Sequence, residues 1–193
     1  MRSRRKWLRT LAQMDNIDTL ASLLLEEAKR FLELAGEASD DEGLNANLHA
    51  GIVLAFCALE AHVNAVSEEM ALQRGLTAHE KSILLERDVR LDNGQYKLRS
   101  NLKMYRLEDR ILFLFARFTK SRLDKDTPWW ASLKASLKLR NQISHPKDVM
   151  ILTKEDVAKS ILAIVDCIDA VYQAIYGKRF PAARMGLQSK MNF

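Results

Sequence analysis

Near the end of an apolar helical stretch the chain carries Arg140-Asn141-Gln142-Ile143-Ser144-His145-Pro146. A guanidinium, a carboxamide, a hydroxyl and an imidazole gathered there suit proton transfer and charge stabilisation on a phosphate ester. A histidine can take the proton of a ribose 2′-hydroxyl or protonate a leaving 5′-oxygen. An arginine's planar fork can stabilise the negative charge that builds around phosphorus in the transition state. The scheme calls for no metal, and no acidic or His/Cys cluster in the sequence has metal-ligand spacing, so no cofactor is expected.

The setting sharpens this reading. At ~100° per residue, Trp129, Leu133 and Leu137 share a helix face with Arg140 and Ser144. Arg140 therefore extends an apolar stripe, and a guanidinium there needs an acid, a phosphate or an open groove. His145 would lie well round a continuous helix from Arg140. Pro146 disfavours the helical conformation of the residue before it, so the helix should stop at His145 and let the ring swing back toward the arginine.

Arg140-x4-His145, with the polar Asn141 directly after the arginine, resembles the signature element of the HEPN family of small helical domains, many of them metal-independent ribonucleases. The upstream Leu59-Glu60-Ala61-His62-Val63-Asn64 is similar to the long family helix that packs beside the motif, and the likeness covers roughly residues 46–176. The resemblance implies an endoribonuclease in which two copies of the motif face each other across a homodimer cleft and leave a 2′,3′-cyclic phosphate. It implies His145 as acid/base group and Arg140 as phosphate and transition-state stabiliser. Asn141 and Ser144 would orient substrate or histidine, and Glu60 and Asn64, four apart on one flank, could reach Arg140 or Asn141. It also suggests toxin or phage-defence roles with RNA as substrate, and an antitoxin or inhibitor protein as a further partner. Some relatives carry a modifiable tyrosine two residues past the histidine; Lys147 stands there, so that control is not implied.

The elements that must position the motif read as an all-α bundle of five to six helices. A first helix is expected from Asp15 or Asp18 to about Ala38, followed by an acidic loop over Ser39–Gly43 and a second helix from about Ala46 to Gln73. Thr77-Ala78-His79-Glu80 is a capping box for a short third helix. Asn93-Gly94 between apolar alternations predicts a small β-hairpin near residues 89–98. An apolar helix follows over about Leu107–Thr119. Thr127-Pro128 starts the motif helix, and Thr153 to Gly177 brackets the last one.

Charge sits unevenly. The chain has thirty basic and twenty-five acidic residues, a net of +5. Nine of those cations lie in acid-free ends, residues 1–14 and 178–193, so the 15–177 body carries −4. We read the ends as a solvated basic arm and tail flanking a single helical domain. Thr127–Lys147 has no acid but holds Lys134, Lys138, Arg140 and Lys147, a locally cationic helix of the kind an RNA-facing surface needs.

No apolar run approaches the ~18 residues of a membrane span, no signal peptide follows the basic start, and two isolated cysteines make no disulfide framework; a cytoplasmic setting without membrane association is expected. His49, His62 and His79 read as ordinary helix residues. Trp130 reads as a core anchor, or if exposed as a base-stacking platform. The competing functional reading is a non-catalytic helical dimerisation or nucleotide-binding module, with Arg140 paired to Glu60.

Overall fold

A computed structural model describes residues 2–119, 122–147 and 150–193, with side chains from residue 17 onward. Six α-helices and one two-stranded antiparallel hairpin are found among these residues, as the hydropathy pattern predicts. In order they are α1 (Arg2–Glu37), α2 (Asp41–Met70), α3 (Ala78–Leu85), β1 (Arg87–Asp92), β2 (Gln95–Leu102), α4 (Leu107–Phe118), α5 (Pro128–Ser144) and α6 (Lys154–Tyr176), closed by a 3-10 turn over Pro181–Arg184. The chain divides into two compact units, Met1–Thr19 with Glu60–Leu123 and Leu20–Leu59 with Asp124–Phe193; α1 and α2 contribute to both.

In the second unit the core is built from apolar stripes. Leu25 and Leu32 of α1, Leu48 and Ile52 of α2, Leu133 of α5, and Ile161 and Ile164 of α6 are buried. Gly51 lets the helices close up: a Cβ there would lie 3.4 Å from both the Ala28 carbonyl oxygen and a Val157 methyl. Trp130 is buried at the start of α5 and meets Trp129 edge-on, which makes it an anchor and removes it as a base platform.

The first unit is organised around α3. Thr77 and Glu80 form the expected reciprocal capping box, and Arg117 of α4 donates to Glu80 at 2.6 Å. Asn93 and Gly94 both take positive φ, the type I′ geometry that the right-handed strand twist favours. The hairpin is longer than the 89–98 expected, running from Arg87 to Leu102 with Leu91 opposite Tyr96 and a bulge between Arg87 and Val89.

Three expectations are corrected. Helix α1 starts at Arg2, not at Asp15 or Asp18, since no glycine or proline between Arg2 and Ile17 stops a helix from extending. Helix α2 starts at Asp41 inside the expected acidic loop: Asp40 accepts from the Gly43 N–H at 2.7 Å, and Asp41 and Glu42 in the first turn suit the positive end of the helix dipole. The C-terminal tail is docked, not solvated. Phe180 is buried, its N–H and the Arg179 guanidinium donate to Asp169, and further on Ser189 and Lys190 donate to Glu33 and Glu26 of α1. Glu26 also pairs, at 3.0 Å, with Lys29, which is fully buried.

Helix α2 also qualifies the expectation about apolar runs. By length and composition alone it could cross a bilayer, because Glu60 is the one charge between Leu48 and Ser67. Within the protein 61% of the apolar 18-residue window of α2 is buried, as in a core helix.

His62 of α2 is 2% exposed, and burial pushes its pKa down to about 4. Asp18 lies 3.8 Å from Nδ1 but is itself half open to solvent. An unfolded histidine binds its proton near pH 6.5, so the unfolded state gains protons first as pH falls. Stability should hold above pH 6.5 and drop progressively toward pH 4, by roughly 3 kcal/mol in full. Urea midpoints of the native chain against His62→Gln should diverge across that window; parallel curves would contradict the assignment.

Candidate functional site

The motif occupies the last turn of α5. Leu133 and Leu137 are buried on the face that Arg140 continues, and Arg140 is half-buried there with its guanidinium carbon 5.2 Å from the centre of the Phe56 ring on α2. The expected extension of the apolar stripe is thus present, and the ring face provides an electrostatic partner for the cation. Phe56 holds the fork by one side, over a hydrophobic floor.

The helix ends where Pro146 requires. His145 caps it with φ −134° and ψ 66°, and its N–H still donates to the Asn141 carbonyl at 2.9 Å. That bond keeps the His145 backbone on the helical path, about 140° round the axis from Arg140 at ~100° per residue. Asn141, Ser144 and His145 are exposed. Arginine and histidine therefore leave the same helix end on different flanks, the one toward the core and the other toward solvent. The expected swing of the ring back toward its own arginine is not what this backbone favours.

The other expected site residues, Glu60 and Asn64, lie in the first unit, and Asn64 is engaged there. Asn64 accepts from Arg110 Nη1 at 2.7 Å, and the same nitrogen donates to Glu86 at 3.0 Å while Nη2 donates to the Leu84 carbonyl at 3.1 Å. Burial pulls the Arg110 pKa down, opposed by the charges of Glu86 and then Glu60. Glu86 also accepts from the Tyr105 N–H and holds a left-handed backbone conformation, φ 49°. One carboxylate thus ties the hairpin's exit to α4.

Arg110 is the residue that sequence reasoning misses. The signal is there: it sits within the stripe of Leu107, Ile111 and Leu114, the same anomaly that singles out Arg140.

A cleft of about 310 Å³ lies on another flank of α5, against α6, lined by Ser132, Ser136, Lys138, Gln142, Asp156 and Lys159 among others. Neither Arg140 nor His145 reaches it. Its buried hydroxyls are spent within their own helices, Ser136 on the Ser132 carbonyl and Ser160 on the Asp156 carbonyl, and the Asp156 carboxylate caps α6. Its lining also carries the side chains of Lys138, Gln142 and Lys159. Cys57 is exposed and Cys167 buried, where burial pushes its thiol pKa far up and makes it inert. Among the described residues no group of three His, Cys, Asp or Glu side chains is placed to hold a metal.

No family model, curated protein or solved structure matches this chain.

The Arg110 network generates a stability prediction. Arg110→Ala would leave a carboxylate, an amide oxygen and a carbonyl without their donor, at a cost of about 3–5 kcal/mol. Arg110→Lys should rescue only part of it, because an ammonium lacks the fork's geometry. Denaturant midpoints would record both losses; a near-neutral Arg110→Ala would refute the structural role given to this network.

Proposed function

We propose that the chain is a metal-independent endoribonuclease of the HEPN type that works as a homodimer. The observation that carries the reading is the end of α5: a guanidinium fixed over Phe56 on the buried flank, and a histidine turned to solvent where the helix is forced to stop. A solvent-facing imidazole that its own backbone sets apart from the arginine is suited to a site completed by a second copy. The acid-free run from Thr127 to Lys147 supports attraction of a polyanion to this helix.

In this mechanism His145 removes the proton from a ribose 2′-hydroxyl, and the 2′-oxygen attacks the adjacent phosphorus. The bond from phosphorus to the 5′-oxygen breaks, and the His145 of a second copy supplies the leaving oxygen's proton. The products are a 2′,3′-cyclic phosphate and a 5′-hydroxyl. Arg140 stabilises the charge on the non-bridging oxygens. Asn141 and Ser144, exposed beside them, hydrogen-bond substrate. Asn64 serves the Arg110 network and so supports the fold, and Glu60 adds its negative charge there. Toxin or phage-defence activity, and control by an antitoxin, belong to the same proposal through the motif's likeness.

A second reading, a dimerisation or nucleotide-binding module, draws on one observation: Phe56 gives Arg140 a reason to lie on the stripe without any phosphate.

Purified protein incubated with total RNA in EDTA should cleave it, and His145→Ala and Arg140→Ala should each lose about 100-fold or more. Because each site uses the histidine of both copies, a heterodimer of the native chain with His145→Ala should also lose most of its activity; half the native activity would point to independent sites instead. Three folded but equally inert proteins would favour the module instead.

A further inference from the structure

We propose that the β1–β2 hairpin is a second nucleic-acid contact, an arm that grips single-stranded RNA along the outer edge of β2. Residues 87–103 hold five cations, Arg87, Arg90, Lys97, Arg99 and Lys103, against two acids, Asp88 and Asp92. Arg90 stands directly opposite Lys97 in the ladder, and like charges in that position destabilise a sheet. Asp88 and Asp92 relieve the pair, each holding one cation at 3.1 Å. Arg99, two residues on from Lys97, lies on the same face. A two-stranded hairpin is marginal by itself, so a costly cation row on it asks for a reason outside the fold.

The opposite face is equally unusual. Val89 and Leu98 are half-buried, but Leu91 and Tyr96 near the tip are 64% and 60% exposed. The Tyr96 ring lies 4.6 Å from the ring of His79, which is also exposed, so the two make an open aromatic surface. Among the described residues no third strand covers β2. Because side chains alternate along a strand, a polymer following that free edge meets Tyr96 on one side and Lys97 and Arg99 on the other. Cations spaced beside a stacking ring match the phosphates and bases of a single strand. An acidic protein would use the charges but leave the rings idle, and a second copy meeting this one hairpin to hairpin would set cation against cation. That the strand is RNA rests on the ribonuclease reading above; the arm itself does not.

The test uses the full chain with His145→Ala, so that bound RNA stays intact, and a fluorescein-labelled RNA of about 20 nucleotides followed by anisotropy. Adding Arg90→Gln, Lys97→Gln and Arg99→Gln together should weaken binding at least tenfold at low salt. It should also flatten the slope of log K against log salt by about 2, since each phosphate that a cation neutralises on a single strand contributes about 0.7 to that slope. Tyr96→Ala should weaken binding about fivefold or more with the slope unchanged. The opposite change, Asp88→Asn with Asp92→Asn, should tighten it, a gain that a misfolded protein would not give. Equal affinity of the triple variant and its parent would overturn the proposal, as would a parent that binds no RNA. A triple variant with altered oligomeric size and unchanged RNA affinity would assign the hairpin to a protein contact instead. Stronger binding of DNA than RNA of the same sequence would keep the arm and reject RNA as its ligand. Binding that survives while cleavage by the native chain is absent would count against the ribonuclease reading alone.

Discussion

A charged fork can share an apolar stripe only where something on that stripe receives its charge. At the end of α5 the face of Phe56 is one such receiver. The contact allows Leu133, Leu137 and Arg140 to follow one another along one flank, and it fixes where the cation emerges from the core. Cation–π contacts of this kind contribute about 0.5–2 kcal/mol, enough to orient a side chain without neutralising its charge. The helix stop at Pro146 supplies the complementary constraint, ending the backbone while His145 is still on its helical path.

The two arginines that interrupt apolar stripes have opposite fates. Arg110 is enclosed by a carboxylate, an amide and a carbonyl, through which Nη1 and Nη2 hold α2, the end of α3 and α4 together. Arg140 is half-buried on a ring and sits one turn from a helix end crowded with exposed polar groups. The first arrangement is buried away from solvent. The second retains the exposure that binding requires.

What local sequence makes readable is punctuation. The capping boxes at Thr77 and Thr153, the Asn93-Gly94 turn, Pro128 at the start of α5 and Gly177 at the end of α6 act through neighbours a few residues away, so each lies where its local chemistry requires. Contacts between distant residues cannot be read this way. The start of α2 is easily misplaced, because acids in a first turn look like a loop until Asp40 is seen capping Gly43. The tail looks solvated because its cations are conspicuous, whereas the buried Phe180 and the partners of Ser189, 156 and 163 residues earlier in the chain, carry no local mark. For the site, Arg140 and the helix stop are legible in the sequence; the engagement of Asn64 by Arg110 is not, since it links residues 46 apart.

The central claim is a particular chemistry: attack by a ribose 2′-oxygen, driven by His145 and stabilised by Arg140. The most direct measurement is the mass-spectrometric identity of the new RNA ends made by the purified protein. The account predicts fragments ending in a 2′,3′-cyclic phosphate with 5′-hydroxyl partners, and no scission of an oligonucleotide carrying 2′-deoxyribose throughout. Fragments with 3′-hydroxyl and 5′-phosphate ends, or scission of the deoxy substrate, would contradict it.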